Sequence, residues 1–177
     1  MKKIFCLFAM SISLLACSVS DNSDGDSNPS GTFVSAKVNG SNFLADLGLS
    51  GISAQLYENN SVFAFGLAAV DYEGGNNAST IGITFGGIDF GSVIDGFEVF
   101  GDGQDFYVSG QYAASINGNS SGGASDENTY LKISSIDKVN QVISGEFSFV
   151  AIDNDNPDVT YSVSEGTFNN VSYTIEN

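Results

Sequence analysis

The chain of 177 residues contains no histidine, no arginine and no tryptophan. Without histidine there can be no Ser-His-Asp triad and no Cys-His pair, and metal sites built on imidazole are excluded. Because only five lysines oppose 21 acidic residues, we expect a nucleic-acid backbone to be repelled. Oxygen atoms remain as metal ligands, and they favour calcium. The acidity itself favours solubility and mutual repulsion between molecules over a dedicated acidic site.

Cysteine is almost as scarce, since the chain has only Cys6 and Cys17. Both lie near a start that is typical of a secretory signal peptide, in which Lys2 and Lys3 precede an apolar run over residues 4–15. This run is too short to cross a bilayer, which takes roughly 20 apolar residues. The sequence therefore predicts an exported protein.

The end of the apolar run reads Leu14-Leu15-Ala16-Cys17 and resembles the bacterial lipoprotein box. The resemblance implies that residues 1–16 are removed as a signal peptide, and that Cys17 carries a thioether-linked diacylglycerol and an acylated amine. The alternative is an ordinary secretory peptide with an incidental cysteine. Each buried CH₂ contributes about 0.8 kcal/mol to membrane anchoring, so several acyl chains would hold the protein stably on a membrane.

Residues 17–31 contain almost no apolar side chains and are predicted to form a flexible tether. The early acids Asp21, Asp24 and Asp26 loosely resemble a signal that sends some Gram-negative lipoproteins to the cell surface, although a plain solvated linker would look the same. Ser18 stands where many lipoproteins retained in the inner membrane have aspartate. We therefore expect an outer-membrane anchor, with the protein facing either the cell surface or the periplasm.

From residue 32 onward the apolar side chains alternate with a period of two, as in Val34, Ala36 and Val38. Asn39-Gly40 is a strong hairpin signal, because both residues tolerate a positive φ. About ten short strands, separated by turn signals roughly every 10 residues, predict a single antiparallel sandwich or partly closed barrel over residues 32–177. Residues 97–100 and 106–114 are predicted to pair around a glycine-rich turn, and residues 117–128 to form a loop.

Three stretches add a family resemblance: TFVSAKVNGSNFLA (32–45), ISGEFSFVA (143–151) and SEGTFNNVSY (164–173). With the lipoprotein box, they resemble a group of uncharacterised lipoproteins of Gram-negative bacteria that carry a domain of unknown function. The resemblance implies an all-β domain behind a lipid anchor. It supplies no catalytic residue, and its motifs read as strands and turns.

The best metal candidate is the acidic turn Asp153-Asn154-Asp155-Asn156-Pro157-Asp158. The carboxylates of Asp153, Asp155 and Asp158 could surround a calcium ion with oxygen ligands. The same residue types also build turns without a metal, so the run has a structural interpretation as well. A comparison of thermal unfolding in excess calcium and in chelator distinguishes the two.

Four tyrosines near turns or in strands could stack on a sugar: Tyr57, Tyr72, Tyr107 and Tyr112. Our leading hypothesis is a non-enzymatic binding or adhesion module of the cell envelope whose ligand is a glycan or a protein. The alternatives are a carrier that holds a small apolar ligand inside a β-barrel and a glycoside hydrolase that uses carboxylates alone.

Overall fold

The computed structural model describes residues 31–47, 51–72, 78–101, 103–114, 121–124 and 128–176. The predicted signal peptide, Cys17 and the tether up to residue 30 lie outside these residues. Within the described part there are twelve strands: β1 (Phe33–Val38), β2 (Ser41–Asp46), β3 (Ile52–Asn59), β4 (Val62–Tyr72), β5 (Ala78–Ile88), β6 (Glu98–Phe100), β7 (Phe106–Ala113), β8 (Ser121–Ala124), β9 (Tyr130–Asp137), β10 (Val142–Asp153), β11 (Thr160–Ser172) and β12 (Thr174–Glu176). The predicted all-β class is confirmed.

The first hairpin shows how the sequence pattern produces these strands. In β1 every second side chain is buried, namely Val34, Ala36 and Val38. Asn39 and Gly40 then adopt φ values of 49° and 84°, which a two-residue hairpin turn requires. β2 returns in register, with Val38 opposite Ser41. The hairpin predicted from Asn39-Gly40 is therefore confirmed.

All twelve strands belong to one mixed sheet that is not closed into a barrel, in agreement with the predicted sandwich or partly closed barrel. Its main path runs β12-β3-β4-β5-β7-β8-β10-β11-β1-β2. β8 and β9 share the remaining edge of β10 at opposite ends, and β6 pairs with β9. β12 pairs in parallel with β3, whereas the sequence predicted antiparallel pairing only.

Two predicted details are wrong. β6 pairs with β9 and not with β7, so residues 97–100 and 106–114 do not form a hairpin. Residues 117–128 are not entirely a loop, because β8 lies among them and joins β7 to β10. The sequence of β8, Ser-Gly-Gly-Ala, lacks the alternating apolar side chains that would have marked a strand.

The inward-facing side chains form one hydrophobic core. Five phenylalanine side chains in it are almost completely buried: Phe65, Phe85, Phe147, Phe149 and Phe168. Their rings contact one another, with centroids 5.0 Å apart for Phe65 and Phe85 and 6.4 Å for Phe147 and Phe168. Such contacts add to the stabilisation from burying apolar area. Aromatic rings therefore occupy the inside of the fold.

In the described residues, no helix is long and apolar enough to span a membrane.

Candidate functional site

Two of the four candidate tyrosines lie in one row across the outer surface of the sheet. Tyr57 on β3 is opposite Ala64 on β4, Ala64 is opposite Gly86 on β5, and Gly86 is opposite Tyr107 on β7. Side chains directly opposite one another project from the same face of a sheet. The pairing register thus places two exposed aromatic rings on either side of two very small residues.

Tyr107 lies low over β5 because residue 86 is glycine. A Cβ atom at Gly86 would be 2.6 Å from the Tyr107 hydroxyl oxygen and 2.6 Å from the Phe63 carbonyl oxygen, which is too close for any other residue. The ring therefore covers the backbone of Gly86, while 37% of Tyr107 remains exposed. This orientation leaves ring surface available to a ligand.

Tyr57 forms the opposite wall and is 40% exposed. Its hydroxyl oxygen accepts a hydrogen bond from Asn59 Nδ2 at 3.2 Å. Because Asn59 is two residues further along the same strand, this bond holds the ring along β3. Both tyrosines therefore have a defined position before any ligand binds, which lowers the entropic cost of binding.

Between the tyrosines the surface carries little side-chain volume. Around Gly66 on β4, no heavy atom lies within 4 Å of where a Cβ would stand. Gly66 lies in the next outward row, opposite Gln55 on β3 and Thr84 on β5. We call this surface the tyrosine trough and define it by six residues: Tyr57, Ala64, Gly66, Thr84, Gly86 and Tyr107.

A surface depression adjoins the trough beside Tyr107. Its lining includes the apolar side chains of Val62 and Ile88 and the polar side chains of Gln104 and Asp105. Val62 and Ile88 are about half exposed and pair directly across β4 and β5. An aromatic ring beside an amide, a carboxylate and apolar side chains can contact an apolar face and the hydroxyl groups of a sugar ring.

The trough carries no charge among its described residues, although the chain is strongly acidic. The alternate, outward-facing positions of β3, β4, β5 and β7 hold only small, hydroxyl, amide, aliphatic and tyrosine side chains. Carboxylates stand at its two ends: Glu176 on β12 is beside Tyr57, and Asp105 precedes Tyr107 by two residues. The centre is thus neutral and the ends are acidic.

The other two candidate tyrosines are placed differently. Tyr72 ends β4 on the same outer side and is 39% exposed, but eight residues along β4 separate it from Ala64, or about 26 Å at the usual rise of a strand. Tyr112 packs against the hydrophobic core, with its ring centroid 4.9 Å from that of Tyr161. The trough therefore brings together Tyr57 and Tyr107 and neither of these two.

The calcium candidate Asp153 organises its own turn. Its Oδ1 accepts hydrogen bonds from the backbone N–H groups of Asp155 and Asn156, both at 3.0 Å, and its Oδ2 accepts one from the Tyr161 hydroxyl at 3.0 Å. The bond from the Asp155 N–H, with further contributions from Tyr161 and Asn156, holds the pKa of Asp153 below its usual value. These contacts explain why an aspartate is almost completely buried here.

Asp155 and Asp158, the other two candidates, are exposed on this turn. The Asp158 N–H donates to Asn156 Oδ1 at 3.2 Å, so the turn is built from side-chain-to-backbone hydrogen bonds. Among the described residues, no group of three or more acidic or cysteine side chains is arranged to hold a metal ion. Calcium binding at Asp153, Asp155 and Asp158 stays a prediction that thermal unfolding can test.

Sequence reasoning missed a second aromatic pair at the surface, in which one ring is exposed and the other is half-buried. Phe100 on β6 is 57% exposed, and its ring centroid lies 4.9 Å from that of Tyr130 on β9. Burial and the nearby carboxylate of Glu98 raise the pKa of the Tyr130 hydroxyl. The pair depends on the pairing of β6 with β9, which local sequence patterns did not indicate.

No protein-family model, no curated protein and no solved structure matches this chain. The resemblance to uncharacterised Gram-negative lipoproteins stays a prediction.

Proposed function

We propose that this protein is a lipoprotein of the bacterial outer membrane whose β domain is a non-enzymatic glycan-binding module. The observation that carries the proposal is the tyrosine trough, in which the register of four strands sets Tyr57 and Tyr107 on either side of a floor of small residues. Tyrosine offers an apolar ring face together with a polar hydroxyl. That combination suits sugars, which have apolar C–H faces and hydroxyl edges.

The packing of the interior supports an outer binding surface rather than an internal one. Phe63 forms T-shaped ring pairs with Phe85 and with Phe90, with centroids 5.7 Å and 5.1 Å apart. A carrier of small apolar ligands would need this space to be open. We therefore favour the glycan-binding module over the carrier.

The membrane anchor rests on sequence alone. Lipidation of Cys17 after removal of residues 1–16 would leave the tether between the membrane and β1, which begins at Phe33. A module on such a tether can reach a polymer while its anchor stays in the membrane. The protein faces either the cell surface or the periplasm, and both spaces offer glycans as ligands.

Affinity electrophoresis of the detergent-purified full chain tests the binding function. Native gels containing soluble glucans, mannans, xylans or galactans should retard the wild-type chain. Tyr57→Ala and Tyr107→Ala should each migrate faster in those gels, because each removes one stacking surface. Phe100→Ala is the matched control, since it removes an exposed aromatic ring from a different outer surface. Equal retardation of all four chains would reject the trough as the binding site.

Protease shaving of intact cells tests the location. If the tether is outside the cell, protease should release the domain while a periplasmic marker survives. If the domain is cut only after the outer membrane is broken, the protein faces the periplasm. Cys17→Ala should abolish labelling by radioactive palmitate; retention of the label would contradict lipidation at Cys17.

A further inference from the structure

We infer that the ligand of the tyrosine trough is an uncharged, linear glycan that crosses strands β3, β4, β5 and β7 and contacts Tyr57 and Tyr107 with different sugar residues. This inference rests on the proposed function and specifies the length, direction and charge of the ligand.

The length follows from the strand register. Tyr57 and Tyr107 stand on strands that are three positions apart in the sheet, which corresponds to about 14 Å between their backbones. The Tyr107 ring reaches over Gly86 on β5, so its hydroxyl is about two strand spacings, or roughly 10 Å, from the β3 backbone. A single sugar ring is shorter than this span and does not cover both tyrosine rings. An oligosaccharide of several residues can do so, and contacts at two separated points add their free energies.

The direction follows from the floor of the trough. Ala64 and Gly86 lie directly between the two tyrosines, and Gly66 beside them has open space above its backbone. No bulky side chain therefore interrupts the line from Tyr57 to Tyr107 across the strands. The depression lined by Val62, Ile88 and Asp105 extends the contact surface at the Tyr107 end.

The charge of the ligand follows from the carboxylates. Glu176 beside Tyr57 and Asp105 beside Tyr107 can accept hydrogen bonds from sugar hydroxyl groups. The same carboxylates, in a chain of net charge −16, repel a polyanion. The outward positions of the four strands offer no lysine to offset that repulsion. The site therefore fits a neutral glycan and repels an anionic one.

The first test compares ligands that differ in length or charge alone. Isothermal titration of the detergent-purified full chain would use neutral oligosaccharides from one to about six sugars, prepared from the polysaccharide that retards the protein most. Affinity should rise by about tenfold once the chain is long enough to add a second anchoring contact. Carboxymethylation of the same polysaccharide should abolish retardation in native gels at low salt.

The second test uses variants. Tyr57→Ala should weaken binding of the hexasaccharide about tenfold. It should leave unchanged the affinity for a shorter sugar that contacts Tyr107 alone. Gly66→Leu should weaken binding of the hexasaccharide as strongly, because the leucine side chain would fill the open space above residue 66 without a clash. Ser134→Leu, at an exposed position on β9, adds the same side chain elsewhere and should leave binding unchanged.

The possible failures are distinguishable. If no neutral polysaccharide retards the wild-type chain, the proposed glycan-binding function fails. If neutral glycans bind but a monosaccharide binds as tightly as the hexasaccharide, or if Gly66→Leu binds normally, the path across the trough is overturned and glycan binding stands. If the carboxymethylated polymer binds as well as its parent, the assignment of an uncharged ligand is overturned.

Discussion

Two outer surfaces of this sheet differ in the side chains that cover their backbone. The trough face, formed by β3, β4, β5 and β7, has glycine at three outward positions: Gly66, Gly82 and Gly86. The ion-pair face, formed by β6, β9 and β10, carries a row of Glu98, Lys132 and Glu146. There Lys132 Nζ lies 3.4 Å from Glu98 Oε1. The trough face thus carries few bulky side chains apart from the Tyr107 ring over Gly86, whereas charged side chains cover the ion-pair face.

The difference separates stability from surface function. Glycine in the interior of a strand lowers stability by roughly 0.5–1 kcal/mol relative to alanine. Steric crowding explains glycine at position 86, where a Cβ would meet the Tyr107 ring. It does not explain Gly66, where a Cβ would meet nothing. An avoidable loss of stability at the centre of the trough is consistent with a surface kept clear for a ligand.

The largest expected effect tests whether the two faces share one core. Phe65 lies beneath the trough face on β4, and Phe149 lies beneath the ion-pair face on β10; each is 1% exposed. Phe65→Ala and Phe149→Ala should each lower the free energy of unfolding by about 3–5 kcal/mol, because each leaves a cavity. Urea unfolding followed by circular dichroism measures this loss.

Both variants should still unfold in one transition, as a domain with one core does. Phe100→Ala is the control for loss of an exposed ring and should change the midpoint little. Two separate transitions in either core variant would show that the faces belong to independently folding halves, and the comparison between them would lose its basis.

The next effect tests the two glycines of the trough against each other. Gly66→Ala should raise the free energy of unfolding by about 0.5–1 kcal/mol, since the new methyl group meets open space and the unfolded chain loses freedom. Gly86→Ala should lower it, because the methyl group would clash with the Phe63 carbonyl and the Tyr107 ring. Thermal unfolding of both variants beside the wild type gives the sign of each change. A destabilised Gly66→Ala would remove the argument that Gly66 is kept for function.

The contrast between the faces could be predicted only in part from the sequence. The alternation in Phe63, Phe65 and Leu67 correctly indicates which side of β4 is buried, and it also shows small residues on the other side. Which strands lie beside β4, and in what register, depends on pairings between distant segments. Tyr57 and Tyr107 are 50 residues apart in the chain, so only the tertiary fold places them in one row.

The acidic turn over residues 153–158 is a second feature that the sequence predicts only in part. Its composition indicates a turn and equally suggests a calcium site, because both use aspartate and asparagine oxygens. The structure shows that Asp153 accepts hydrogen bonds from its own turn and from Tyr161. Tyr161 follows on β11, and its hydroxyl reaches Asp153 only because β10 and β11 pair with Ala151 opposite Tyr161. A local pattern cannot contain that contact.

The smallest expected effect concerns the junction between the two faces. There β8 joins β7 to β10, and Gly122 pairs with Asp153. Hydrogen bonds lower the pKa of Asp153 in the folded chain, while the unfolded chain has the ordinary aspartate value of about 3.9. The stabilisation is therefore present above that value and is lost as the pH falls through the lower, folded pKa. Asp153→Asn should reduce the melting temperature at pH 7, because an amide accepts fewer hydrogen bonds than a carboxylate.

The gap in melting temperature between Asp153→Asn and the wild type should then narrow as the pH falls below about 3.9, because the unfolded chain binds protons there before the folded carboxylate does. Asp158→Asn, which changes an exposed carboxylate of the same turn, should leave the melting temperature nearly unchanged at neutral pH. Repeating the scans in excess calcium and in chelator separates the two interpretations of the turn. If hydrogen bonds alone stabilise the turn, the difference in melting temperature between Asp153→Asn and the wild type is the same in both solutions. A difference that widens only with calcium would show that the carboxylates also bind the metal. The stability of the junction would then depend on calcium as well as on pH.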